Sequence, residues 1–192
     1  MSALDDAPYV HADDRATWRA WLDNHHADAT GCWLVTWRAG AGHPGLSYEE
    51  AIEEATCFGW VDSTAGRFDE DRGKLYFAPR KARSPWAATN KARVARLTAQ
   101  GRMMPAGIAA VEAAKENGYW EILDSAERLE VPDDLDAAFA LRAPSAENFA
   151  AFPPSARKQM LAWVALARRP ETRAARIDKI AAAAQRNERA PG

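Results

Sequence analysis

Four glutamates, Glu49, Glu50, Glu53 and Glu54, lie within six consecutive positions, a carboxylate density used by acid–base pairs and by divalent-cation cages. A third use is electrostatic, because carboxylates in the first turns of a helix complement the partial positive charge at its N-terminus. Ser47 precedes Glu50 by three residues, the spacing of a capping box, so a helix begins here and the spacing favours the third use. Just upstream, Gly40-Ala41-Gly42-His43-Pro44-Gly45 spells G-x-G-x-x-G, and Asp62 follows roughly twenty residues on, as in a dinucleotide site. Against that reading, Pro44 stands where the helix should be under way, Ser47 puts the helix cap beyond the third glycine, and no further βα units follow. The loop reads as a connection, and no nucleotide or other cofactor is expected.

The histidines and cysteines give no stronger lead. His25 and His26 are adjacent, so they point about 100° apart on a helix, while His11 and His43 fall in expected loops. There is no zinc spacing and no metal site is expected. Cys57 falls where a helix meets a strand among apolar neighbours, the setting of a structural thiol, and with Cys32 it makes too few cysteines for a disulfide framework.

Charge is organised in blocks behind a net value of −2. Residues 1–71 carry 4 basic and 14 acidic side chains, 72–111 carry 9 and none, 112–156 carry 3 and 10, and 157–192 carry 9 and 3. Such alternation predicts acidic and basic segments packed against each other. The competing use is a basic footprint for nucleic acid in residues 72–111. There Trp86, Asn90, Val94 and Leu97 share one helical face and leave Lys91, Arg93 and Arg96 toward solvent to track phosphates. No nucleic-acid module is spelled, and aromatics on the face of Val94 and Leu97 read as core, so this use ranks behind the first.

The elements that must position these groups are legible from pattern. With 47% hydrophobic and 27% charged residues, the 192-residue chain has the composition of a globular protein. No apolar run approaches the roughly 20 residues of a membrane span. The acidic start, with Asp5, Asp6, Asp13 and Asp14, is unlike a secretory leader, so a cytoplasmic protein without membrane insertion is expected. A helix capped by Asp13 or Asp14 carries Trp18, Trp21, Leu22 and His25 on one face. Cys32–Trp37 reads as a strand, Tyr48–Cys57 as a helix, and Phe58–Asp62 and Lys74–Ala78 as two further strands. Beyond Pro85 the chain turns alanine-rich, with Pro105, Pro132, Pro144, Pro153, Pro154 and Pro170 at positions where five or six helices would begin. The expected fold is α+β, a small three-stranded sheet with packed helices over residues 1–140, followed by an all-helical subdomain over 141–192.

Particular residues carry a family likeness. The run from Leu46 to Ser63, with Ser47-Tyr48-Glu49-Glu50 at its head and Cys57-Phe58-Gly59-Trp60-Val61-Asp62 near its end, is followed by Phe77-Ala78-Pro79-Arg80, Ser84-Pro85-Trp86, Asn90-Lys91 and Gly101–Gly107. A C-terminal set follows, from Phe149 and Phe152 through Arg157, Trp163 and Arg168-Arg169-Pro170 to Ile177. Together they resemble the YdeI/OmpD-associated family of bacterial proteins, and the likeness spans nearly the whole chain after about residue 15. The resemblance implies protection against bacteriocins and cationic antimicrobial peptides, association with an outer-membrane porin in some members, and no established reaction.

Tryptophan density supplies the site. Trp33 and Trp60 on neighbouring strands, Asp62 and Arg80 at strand ends, and Trp86 and Asn90 in the segment that follows form the expected ligand-binding set, an apolar floor with a charged rim. The expected function is a non-catalytic stress or defence protein that binds a small ligand or a protein partner. A small-molecule enzyme with a Trp-lined pocket is the alternative, and a nucleic-acid binder using residues 72–111 the third.

Overall fold

Local signals start the helices where the sequence places them. In the computed structural model, which describes residues 6–38, 40–43 and 45–190, helix α1 (Arg15–His25) begins at Asp14, whose carboxylate accepts a hydrogen bond from Thr17 N at 2.7 Å. Helix α2 (Tyr48–Cys57) opens on the full capping box: Glu50 N donates to Ser47 Oγ, and Ser47 N donates to the Glu50 carboxylate at 2.9 Å.

Among the described residues four strands, not three, form the sheet: β1 (Tyr9–His11), β2 (Cys32–Trp37), β3 (Trp60–Arg67) and β4 (Arg72–Pro79), in the order β1-β2-β4-β3. The added strand is β1. Three residues are too few to show a period of two, and it is defined by its parallel partner, Tyr9 lying opposite Trp33 and His11 opposite Val35. β4 runs antiparallel to both β2 and β3, and the β3 register shifts between Asp62 and Ala65. A dinucleotide fold would need a parallel sheet, and the helix after the glycine loop starts only at Tyr48.

Strand alternation gives the sheet two unlike faces. Cys32, Leu34 and Phe77 point toward α1 and α2, where Trp18, Leu22, Ala55 and Trp60 complete the core. Trp33 and Tyr76 point the other way, in edge contact at 5.3 Å, with the Lys74 ammonium 4.4 Å from the Trp33 ring.

Contacts divide the chain into two units. The first contains residues up to Ser84 together with Thr89–Asn117, and the second contains Pro85–Ala88 and everything from Gly118. Residue 140, where composition shifts, lies inside the second unit at the end of a helix. The first unit holds the sheet, α1, α2, most of α3 (Ala88–Ala99) and α4 (Pro105–Glu116). The second is helical: α5 (Asp124–Glu127), α6 (Asp133–Ala140), α7 (Ser145–Ala151), α8 (Pro154–Ala165) and α9 (Pro170–Gln185). Seven helices therefore follow Pro85 among the described residues, the four-residue α5 being too short for a periodic signal. Pro105, Pro154 and Pro170 take the first helical turn, and Pro132, Pro144 and Pro153 sit at N-caps. Leu135, Phe149, Val164 and Ile180 are central to the second core. The buried face of α9 is formed by Ile177, Ile180, Ala181 and Ala184, and Ala174 is exposed. Among the described residues no helix is long and apolar enough to cross a membrane.

The first unit is closed by a near contact of two helices. Met104 N donates to Cys57 O at 3.0 Å, and α4 then runs so close to the end of α2 that a Cβ at Gly107 would stand 2.2 Å from Cys57 O. Alanine normally gains about 1 kcal/mol over glycine inside a helix. Here the backbone clash outweighs that gain, and Gly107→Ala is expected to destabilise the protein by about 1–3 kcal/mol. A thermal melt equal to or above wild type would disprove the close packing.

Candidate functional site

Helix α2 turns two of its four glutamates inward, with Glu53 7% and Glu54 2% exposed. A buried carboxylate is tolerable only with charged and hydrogen-bonding partners, and four arginines supply them, while a fifth, Arg93, holds the exposed Glu49 beside them. From α1, Arg15 bonds Glu53 directly and lies 3.3 Å from Glu50, while Arg19 donates to Glu54 at 2.8 Å. From α3, Arg93 grips Glu49 with two hydrogen bonds of 3.0 and 2.8 Å, and Arg96 bridges Glu49 and Glu53. Arg102, after α3, donates to Glu54 and, at 3.2 Å, to Glu53. Burial alone would raise the Glu53 carboxyl, but the hydrogen bonds from Arg15, Arg96 and Arg102 outweigh it and hold it down at about 2. Glu49 is lowered chiefly by its hydrogen bond from Arg93. Glu49 and Glu53 are thus held as anions and all the α2 carboxylates are engaged by arginines, which suits neither proton transfer nor an exchangeable cation.

The same network corrects the reading of α3. Arg93, expected toward solvent, is 8% exposed, because the helical wheel shows which residues leave the apolar face but not that an acidic helix lies across from them. Two of the three cations proposed to track phosphates, Arg93 and Arg96, are thus held by α2 carboxylates. Acidic and basic blocks pack together in the first unit, and the second repeats the pattern: Glu127 pairs with Lys158 at 3.0 Å and Asp134 with Arg173 at 2.6 Å. The thiols are sequestered as well. Burial pushes Cys32 up to about 12, and burial together with Glu54 raises Cys57.

At the other end of α2 the structure gathers Asp62, Arg80 and Asn90. The Tyr48 hydroxyl donates to Asp62 at 3.0 Å, and burial with that carboxylate raises the phenol. Asn90 Oδ1 accepts from Arg93 at 2.6 Å. Arg80, half-buried after β4, feels both Asp62 and Arg93; burial lowers it to about 10, Asp62 opposing the shift and Arg93 adding to it. It still carries its charge at neutral pH. Asp62 and Arg80, expected at exposed strand ends, are both partly buried.

The tryptophans are distributed differently. Trp33 sits on the sheet face away from α2, between Tyr76 and Lys74. Trp60 is 2% exposed in the first core, its indole donating to His26 O at 3.3 Å. Trp86 belongs to the second unit, 2% exposed and 5.1 Å from Trp120.

Beside Tyr48 a cleft of about 440 Å³ opens between the start of α2 and the end of the sheet. Leu34, Leu75, Ala65 and Ala51 form its apolar lining, with Thr36, Gly73 and Arg38 toward one end. Sequence reasoning missed Tyr48 and Arg38 as site residues. The signal for Tyr48 was its place at the first turn of a capped helix that the following strand must approach.

Comparison with known proteins gives two family matches. Residues 10–110 match a family described as a domain of unknown function, DUF8412, and residues 128–187 match one described as "Bacteriocin-protection, YdeI or OmpD-Associated". The YdeI/OmpD-associated likeness is thereby supported at the C-terminal end, over a shorter stretch than the motifs suggested. No curated protein and no solved structure matches the chain significantly.

Glu53 gives the network a stability signature. Its folded-state value of about 2 lies below its ordinary 4.5, so its contribution is complete above pH 4.5 and is lost as the pH falls toward 2. Acid unfolding is expected to begin in that window. Glu53→Ala should cost about 1–3 kcal/mol, since it takes a charged hydrogen-bond partner from Arg15, Arg96 and Arg102 together, and should flatten the acid limb of the stability curve. An unchanged melt at pH 7 together with an unchanged acid limb would refute the network's structural role.

Proposed function

The chain belongs to the family described as a domain of unknown function, DUF8412, and carries a YdeI/OmpD-associated region at residues 128–187; on that footing we propose a non-catalytic cytoplasmic protein that protects bacteria against bacteriocins or cationic peptides by binding a ligand or partner. The observation that carries the binding reading is the contrast between locked chemistry and open space. The glutamates that would serve as acids or bases are tied to arginines and both thiols are buried, whereas the cleft beside Tyr48 stays open. Bacteriocin protection at the family level comes from the description of the C-terminal match.

The proposed polar side of the binding region is Asp62, Arg80 and Asn90, reached through Tyr48. Asp62→Asn keeps the shape of the side chain and Tyr48→Phe removes only its hydroxyl, so both variants are expected to fold and to lose protection. Trp60→Ala, which empties a core position, should instead cost roughly 3–5 kcal/mol. The assay pairs thermal melts with survival, under challenge by a cationic peptide, of a host lacking its own copy. Folded Asp62→Asn and Tyr48→Phe proteins that protect as well as wild type would rule out this region as the site.

A further inference from the structure

We propose that the cleft between the start of α2 and the end of the sheet takes a small amphipathic carboxylate, its chain lying on Leu34, Leu75 and Ala65 and its head group held by Arg38. The proposal deepens the binding role proposed above and rests on it. The volume of about 440 Å³ falls in the range of small-ligand sites, about 300–1,000 Å³.

Register explains why there is space. Leu34, Leu75 and Ala65 form one cross-strand row on the α2 side of the sheet, and Thr36, Gly73 and Arg67 form the next. Helix α2 starts short of this second row, and at its centre Gly73 contributes no side chain. The Gly73 backbone does not require glycine, since a Cβ there would meet only ordinary contacts, Gly66 O at 3.7 Å and Arg38 Cγ at 3.9 Å. What the missing side chain does is leave the floor open beside Arg38.

Charge then selects the head group. No carboxylate lines the cleft among the described residues. Two of the wall hydroxyls already have partners, Ser47 in the capping box and Tyr48 on Asp62. Lys74 contributes to the lining, but its ammonium lies on the opposite sheet face, donating to the Tyr9 hydroxyl at 3.2 Å and resting over Trp33. Asp69, in the nearby hairpin turn, is bonded to Arg72. Arg38 is exposed at the mouth and pairs with no carboxylate among the described residues. A guanidinium at the edge of an apolar floor recognises a carboxylate by paired, charge-assisted hydrogen bonds and repels an ammonium.

The test titrates the full chain with octanoate, hexanoate, octanol and octylamine by calorimetry, below micellar concentrations. Octanoate should bind saturably, at least tenfold more tightly than octylamine, and about fifteenfold more tightly than hexanoate, since each of the two extra buried methylenes adds roughly fourfold. Arg38→Gln should reduce octanoate to the level of octanol, and Gly73→Leu should abolish binding while melting like wild type. Ala65→Leu, which fills the same floor from an exposed position, serves as a second block if the leucine at 73 disturbs the sheet. Absence of saturable octanoate binding, octylamine binding as tightly as octanoate, or octanoate binding that survives a folded blocking variant would each overturn the proposal. Because binding is read in vitro, a host fully protected by Asp62→Asn and Tyr48→Phe would rule out that region as the defence site while leaving the ligand class intact.

Discussion

Burying Glu53 and Glu54 under the surface of α2 obliges the chain to deliver guanidiniums to them from elsewhere, and much of the first unit is arranged to do so. Desolvating two carboxylates is costly enough that an incomplete set of partners would leave α2 detached from its neighbours. α1 brings two arginines from one side, α3 with the residues after it brings two more from the other, and Arg93 of α3 adds a clamp on the neighbouring Glu49. Apolar packing of Trp18, Leu22 and Leu97 gives these helices a reason to approach α2, and the arginines decide in which orientation they stay.

That arrangement also fixes which end of α2 is available. The inner and C-terminal parts are filled by arginines, by Cys57 and by the close approach of α4 at Gly107. The N-terminal turn carries Tyr48, which is exposed and lines the cleft together with the end of the sheet. Stabilising chemistry and accessible surface thus share one ten-residue helix, with Glu53 and Glu54 turned inward and Tyr48 exposed at its start.

What was legible in the sequence was what short-range chemistry determines. The Ser47–Glu50 capping box, the Asp14 cap and the prolines at helix starts act within one turn, and each marks its helix correctly. β1 was not legible, because a three-residue strand exists only through its pairing with β2. Nor was the fate of Arg93, since periodicity places a side chain relative to its own helix and carries no information about the helix opposite. The alternating charge blocks held the missing clue, and it took the fold to show which blocks met. Of the candidate site, Asp62, Arg80 and Asn90 come together near Arg93, whereas the tryptophans that prompted the search serve three different places: a sheet face, the first core and the second unit.

The path of the backbone through Pro85–Ala88 has a practical result for anyone dissecting the molecule. These four residues belong to the second unit although the first flanks them on both sides, so no single cut of the polypeptide releases either unit whole. The two family descriptions divide the sequence end to end, at 110 and 128, and invite a cut between them. A fragment ending at 110 would keep Trp86 but lose Trp120, leaving an indole stripped of its neighbour, and would be prone to self-associate through the bared aromatic surface.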